Sequence, residues 1–183
     1  MFNLKFALSH FFHQRKAKNR HGLHSPFVYR LVDEVIYDFS NKKLYTAIEK
    51  NISNGKKLNA ADKLLYRLTA DTKPHTVWIL GKAQLKDQQI LQQACSNIQA
   101  KNIDNLADWK DATSPGVMYL DAELNPQAVM DYFNRILPRV TPQTLLIVNN
   151  IPKNVLTKTS WNIMKSHHKV TASVNLFRMK REG

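Results

Sequence analysis

The chain has 183 residues, enough for one domain with a small appendage. Hydrophobic residues at 43% and charged residues at 22% exclude a disordered chain, and five glycines and seven prolines exclude a collagen-like or linker-like one. The net charge of +13 suits an anionic partner (nucleic acid, a phosphorylated metabolite, a membrane surface) and equally a generally basic, soluble surface.

The basic residues are unevenly placed. Before Asp33 stand Lys5, Arg15, Lys16, Lys18, Arg20 and Arg30, with no acidic residue and with four of the seven histidines. Leu4, Leu8, Phe11 and Phe12 recur at helical spacing, so residues 3–17 read as an amphipathic helix. Such a helix either docks on its own domain or lies on an anionic membrane or nucleic acid. The apolar start is interrupted by Lys5 and His10 and lacks a small-residue cleavage site, so it does not read as a signal peptide. No apolar run reaches the roughly 18 residues of a membrane span, and the expected location is the cytoplasm. The single cysteine, Cys95, excludes an intramolecular disulfide and reads as a core residue.

Ser25 and Pro26 make a good helix start, predicting a helix to about Asp38 that buries Phe27, Leu31 and Ile36. Further helices are expected from Lys43 to Ile52 and, capped by Asn59, over Ala61, Leu64, Leu65 and Leu68. From Thr76 the period changes. Val77–Gly81, Val117–Asp121 and Thr144–Val148 are solid apolar runs that read as buried strands, with a weaker strand near Asn97–Lys101 and a last one over Lys169–Phe177. Helices are expected over Leu85–Ala94, residues 104–111, from Asn125-Pro126 to Pro138, and over Lys153–Ser166. This alternation predicts an α/β domain over residues 73–183, with a mostly parallel sheet covered on both faces, preceded by an all-helical extension over residues 1–72.

In an open sheet of this class, ligands sit beyond the carboxyl ends of the strands where the strand order reverses. That rule picks out the loops Gly81–Gln84, Asp121–Leu124 and Asn149–Lys153. Gly81 lets backbone approach a ligand, Asp121 can accept hydrogen bonds from an amino group or bind a metal, and Asn149 and Asn150 can do the same more weakly. Taken singly, the glycine also reads as a strand terminator and the aspartate as a loop cap.

The run Arg20-His21-Gly22-Leu23-His24-Ser25-Pro26-Phe27 resembles the N-terminal signature of a bacterial family of class I S-adenosylmethionine-dependent methyltransferases, found chiefly in Bacteroidetes. Trp78–Leu85, Tyr119-Leu120-Asp121 and Leu146–Ile151 fall where that family has its cofactor loop, an aspartate-glycine strand end and an aspartate-aspartate-isoleucine run. The resemblance implies a Rossmann-like sheet, which the short stretch between Gly81 and Val117 reduces to about five strands, mostly parallel, in an order close to 2-1-3-4-5. It implies S-adenosylmethionine held by Gly81, Lys82, Ala83, Asp121 and Ala122, with Asp104 standing in for the ribose-binding acid. His21 and His24 become the candidate bases near a small-molecule oxygen or nitrogen acceptor. The chain also departs from the pattern: Ile79 replaces an acid, no second glycine follows Gly81, and Asn149 and Asn150 replace paired aspartates, so no metal site is expected. Only 35 residues separate Gly81 from Val117, room for one strand where the family has two. These departures suit a divergent member with weakened or lost cofactor binding. They equally suit a non-catalytic binding or scaffold module, or a basic binder of anionic surfaces or nucleic acid.

Overall fold

The computed structural model describes residues 26–40, 43–52, 57–94, 99–103, 114–123, 127–151 and 155–176. The expected amphipathic helix over 3–17, the Ser25 cap, Cys95, the helix over 104–111 and the Asn125-Pro126 start lie outside them. Helix α1 (Pro26–Arg30) continues directly into a π-helical stretch, Leu31–Ile36, and is followed by α2 (Lys43–Ile52) and α3 (Ala60–Thr72). Strand–helix alternation then sets in: β1 (Thr76–Leu80), α4 (Leu85–Gln93), β2 (Gln99–Ile103), β3 (Val117–Asp121), α5 (Val129–Ile136), β4 (Leu145–Asn149) and α6 (Val155–Lys165).

Local chemistry sets several of these boundaries. Asn59 starts α3 by accepting from the Ala61 and Asp62 amides at 2.9 and 3.1 Å, while Asp62 returns the bond by accepting from the Asn59 amide at 2.8 Å. This reciprocal cap satisfies donors that a helix start otherwise leaves unpaired. Gly116, just before β3, packs so close to Pro74 that a Cβ would sit 2.7 Å from the proline Cβ. Only glycine allows β3 to begin beside β1 there.

The strands form one parallel sheet in the order β2-β1-β3-β4. β1 and β3 are buried on both faces, which explains their unbroken apolar runs. On one face Trp78, Leu80, Met118 and Leu120 pack against Val129, Tyr132, Phe133 and Ile136 of α5 and Met164 of α6. On the other, Val77, Ile79, Val117 and Tyr119 meet Tyr45 and Ile48 of α2, Leu65 of α3, and Ile90 and Leu91 of α4. The α1 segment adds Val28, Leu31, Val32, Val35 and Ile36, packed with Leu68 of α3 and with Leu145 and Ile147 of β4. The helices before residue 73 thus supply one layer of the sheet's own core.

Two expectations are corrected. Phe27 is 58% exposed, because it shares its helix face with Arg30, which reaches Asp71, and with Glu34, which accepts from Arg30 at the surface. The closing strand over Lys169–Phe177 does not form across residues 170–176, so the described sheet has four strands and not five. The packing shows why. Residues four apart in a strand share a face, yet Val170 packs with the α5–α6 layer and Val174 with the α1 layer on the opposite side of the sheet.

Two arginines bind the helical layer together. Arg30 makes a two-pronged contact with Asp71 at 2.9 and 2.7 Å, tying α1 to α3 and holding the Asp71 carboxyl below its ordinary range. Arg67 is buried in α3 and donates to the carbonyls of Val35 and Ile36 at 2.7 and 3.1 Å, at the negative end of the α1 segment. Among the described residues no carboxylate pairs with it, so these carbonyls and the Tyr45 hydroxyl are its solvation shell. Arg67→Met keeps the apolar stem and strands the buried carbonyls. It should lower the unfolding free energy by about 3 kcal/mol, read as a reduced urea midpoint at unchanged slope.

Candidate functional site

The strand order fixes where a ligand site belongs. From β1 the chain goes by α4, on the Tyr119 face, to β2; from β3 it goes by α5, on the opposite face, to β4. The connections therefore part between β1 and β3, and in open sheets such a parting marks where a ligand crevice lies, at the carboxyl ends of these strands. Leu80 and Leu120 are partners in register, so the next residue on each side, Gly81 and Asp121, stand level across it. Gly81 has φ of 66°, a left-handed conformation that turns the chain out of β1 and keeps the turn free of a side chain.

Asp121 is completely buried and pairs in register with Asn149. Its Oδ1 accepts from the Asn150 side-chain amide at 2.8 Å and from the Glu123 backbone amide at 3.0 Å. Its Oδ2 is buried and has no hydrogen-bond partner among the described residues. Ala122 is also buried, and its amide donates to the Asn149 carbonyl at 3.1 Å, extending the β3–β4 pairing by a step. Asn150 holds φ of 61°, which asparagine tolerates better than other side-chain-bearing residues.

A second set of polar groups lies one pleat lower. The Tyr119 hydroxyl donates to Asp87 Oδ2, from the first turn of α4, and accepts from the Asn149 amide at 3.1 Å. The Asn150 backbone amide in turn donates to Asn149 Oδ1 at 3.0 Å. Burial pushes the Asp87 carboxyl above its ordinary range, opposed by the hydrogen bond from Tyr119. Burial, reinforced by the Asp87 charge, also holds the Tyr119 phenol well above the usual tyrosine range.

The crevice thus brings together Gly81, Asp121 and Ala122 from the sequence-derived set. Lys82 is exposed; Ala83 packs against the core of the α2–α4 face, its carbonyl accepting from Gln88 at 3.0 Å. His21, His24 and Asp104 lie outside the described residues. Comparison with family models, curated proteins and solved structures returned no match. What the site can do therefore rests on its own geometry.

Asp87 is the residue of this buried network that sequence reasoning missed. Its signal was a carboxylate three and four residues before Ile90 and Leu91, on the buried face of α4, where a charge needs a specific partner. Asn149 and Asn150, expected only as weak alternatives to carboxylates, prove to be interior links of the network. Among the described residues no three His, Cys, Asp or Glu side chains converge as metal ligands. The chemistry on offer is one buried carboxylate oxygen ready to accept a hydrogen bond, beside a turn where backbone can approach a ligand.

The direction of the Asp87 shift has a consequence for stability. The folded protein holds this proton more tightly than the unfolded chain, whose carboxyl titrates near 3.8. Stability contributed at this position therefore falls as pH rises from about 4 through the higher folded value, and is flat beyond it. Asp87→Asn should remove that falling component, so denaturant unfolding across pH should show wild type minus variant declining through this window.

Proposed function

We propose that this chain is a divergent S-adenosylmethionine-dependent methyltransferase-like protein, built on a Rossmann-like domain with a helical N-terminal extension. The observation that carries this reading is the pairing of Gly81 in a left-handed turn with Asp121, whose Oδ2 is buried and unpartnered, across the crevice between β1 and β3. An acceptor held out of water without a donor costs about 1–3 kcal/mol. A ligand carrying an N–H or O–H group relieves that cost, so the carboxylate favours a ligand of that kind.

S-adenosylmethionine offers such donors, and its sulfonium, when bound, supplies an electrophilic methyl group. On this reading Gly81 gives the cofactor close backbone approach and Asp121 accepts from one of its donors. Ala122 adjoins Asp121 at the same strand end, Lys82 and Ala83 enter only as the residues that follow Gly81, and Asp104 is assigned to the ribose. His21 and His24 are assigned as bases for a small-molecule oxygen or nitrogen acceptor, where transfer needs chiefly proximity and in-line orientation. The side chains that follow Gly81 and the amides at Asn149 and Asn150 support weakened cofactor binding. The same replacements favour a second reading, a non-catalytic binding module that keeps the architecture without turnover.

Calorimetric titration with S-adenosylhomocysteine separates the two. The proposal expects binding with a dissociation constant above roughly 100 µM, weaker than about −5.5 kcal/mol, abolished by Gly81→Val. No heat and no thermal stabilisation at millimolar ligand would leave the non-catalytic module.

A further inference from the structure

Asp121 can serve a ligand only if its free oxygen stays free, and that depends on how Asn149 and Asn150 are turned. An asparagine amide presents a donor on one side and an acceptor on the other, and nothing in its shape chooses between them. At this site the choice is made by hydrogen-bond arithmetic that begins at Asp87. An ionised carboxylate only accepts, so Tyr119 spends its single proton on Asp87 and shows a lone pair to Asn149. Asn149 must then face Tyr119 with its NH2 group, as it does at 3.1 Å, which turns its Oδ1 toward the Asn150 backbone amide at 3.0 Å. With that amide held, Asn150 stays in its left-handed conformation and its side chain donates to Asp121 Oδ1 at 2.8 Å.

We infer that Asp87 and Tyr119 are positioning residues of the strand-end site: their hydrogen bond sets the orientation of the Asn149–Asn150 turn, so that Asn150 engages Asp121 Oδ1 and Oδ2 is left for the ligand. The inference rests on the proposed reading only for the identity of the ligand; the orientation of the turn is a property of the protein alone. Reversing the polarity at position 87 reverses the whole series. A donor there lets Tyr119 give its proton to Asn149, which then offers NH2 to the Asn150 amide, a donor facing a donor. The groups around Asp87 fit its part as an acceptor. Lys86 on its own helix is engaged with Asp62 of α3 at 2.8 Å, and Tyr119 and Asp121 face it from β3.

The test uses the full chain, isotopically labelled, as wild type, Tyr119→Phe, Asp87→Asn and the control Tyr45→Phe. The control removes a buried hydroxyl on Arg67, in the α1–α3 layer. Amide NMR of Asn149 and Asn150 and calorimetric titration with S-adenosylhomocysteine are read on the same samples. In Tyr119→Phe the Asn149 side-chain and Asn150 backbone amide signals should move, and the Asn150 amide should exchange with solvent about tenfold faster; Asp87→Asn, whose amide still offers Tyr119 an acceptor oxygen beside its donor, should show the same changes at smaller amplitude. Affinity for S-adenosylhomocysteine should fall about tenfold, and Tyr45→Phe should change none of these. Unchanged Asn149 and Asn150 amides in Tyr119→Phe would overturn the inference whatever the ligand does, as would equal changes in Tyr45→Phe. A wild type that takes up no S-adenosylhomocysteine, with amides that still respond at the site alone, sinks the ligand reading and supports the positioning role.

Discussion

The Tyr119 hydroxyl sits on a strand buried on both faces, so it has no water to meet and must find its partner inside the protein. It finds one in Asp87, a carboxylate that α4 carries into the core and that has the mirror-image problem. A buried phenol and a buried carboxylate are each expensive alone and together close to neutral. Their bond joins helix to strand directly beneath the crevice between β1 and β3. From it the orientation of Asn149, the turn at Asn150 and the single free oxygen of Asp121 follow in sequence. The strand ends that would hold a ligand are therefore organised from below, by a pair that itself faces no ligand.

Charge is used internally to an extent the overall balance does not suggest. Arg67 is spent on the Val35 and Ile36 carbonyls, Arg30 on Asp71, and Lys86 on Asp62. Each joins one helix of the layer before β1 to another, or to α4. These are the elements that cover the Tyr119 face of the sheet and hold α4 where Asp87 can reach the strand. Arg30 and Lys86 are balanced by their carboxylates, so of the three only Arg67 belongs to the positive excess. Among the described residues no helix is long and apolar enough to cross a membrane.

What could be read in the sequence was whatever depends on short-range pattern. The apolar runs of β1 and β3 announce strands buried on both faces, that of β4 announces a strand that proves half-buried at the sheet edge, and Asn59 announces the start of α3. The spacing of Val129, Tyr132, Phe133 and Ile136 gives the buried stripe of α5. Gly81 and Asp121 could be singled out because both lie at strand ends and the rule for open sheets is topological. What could not be read depends on pairings across the chain. Phe27 has the composition of a core residue, but its face is set by Arg30 reaching Asp71, 41 residues away. The run Lys169–Phe177 has strand-like composition, but Val170 and Val174 are claimed by opposite layers. Asp87 looks like an ordinary first-turn carboxylate until Tyr119, 32 residues on, stands beside it. Gly116 is silent until Pro74 is seen against it.

The central claim is that the functional face of this protein is the crevice between β1 and β3, with Gly81 and Asp121 on its two sides. Hydrogen exchange followed by mass spectrometry, with and without excess S-adenosylhomocysteine, tests it most directly. The account predicts slowed exchange in peptides covering residues 80–86 and 119–123, with α2 and the outer end of α6 unchanged. Exchange that is unaltered at both strand ends, or protection confined to the helices before residue 73, would contradict it.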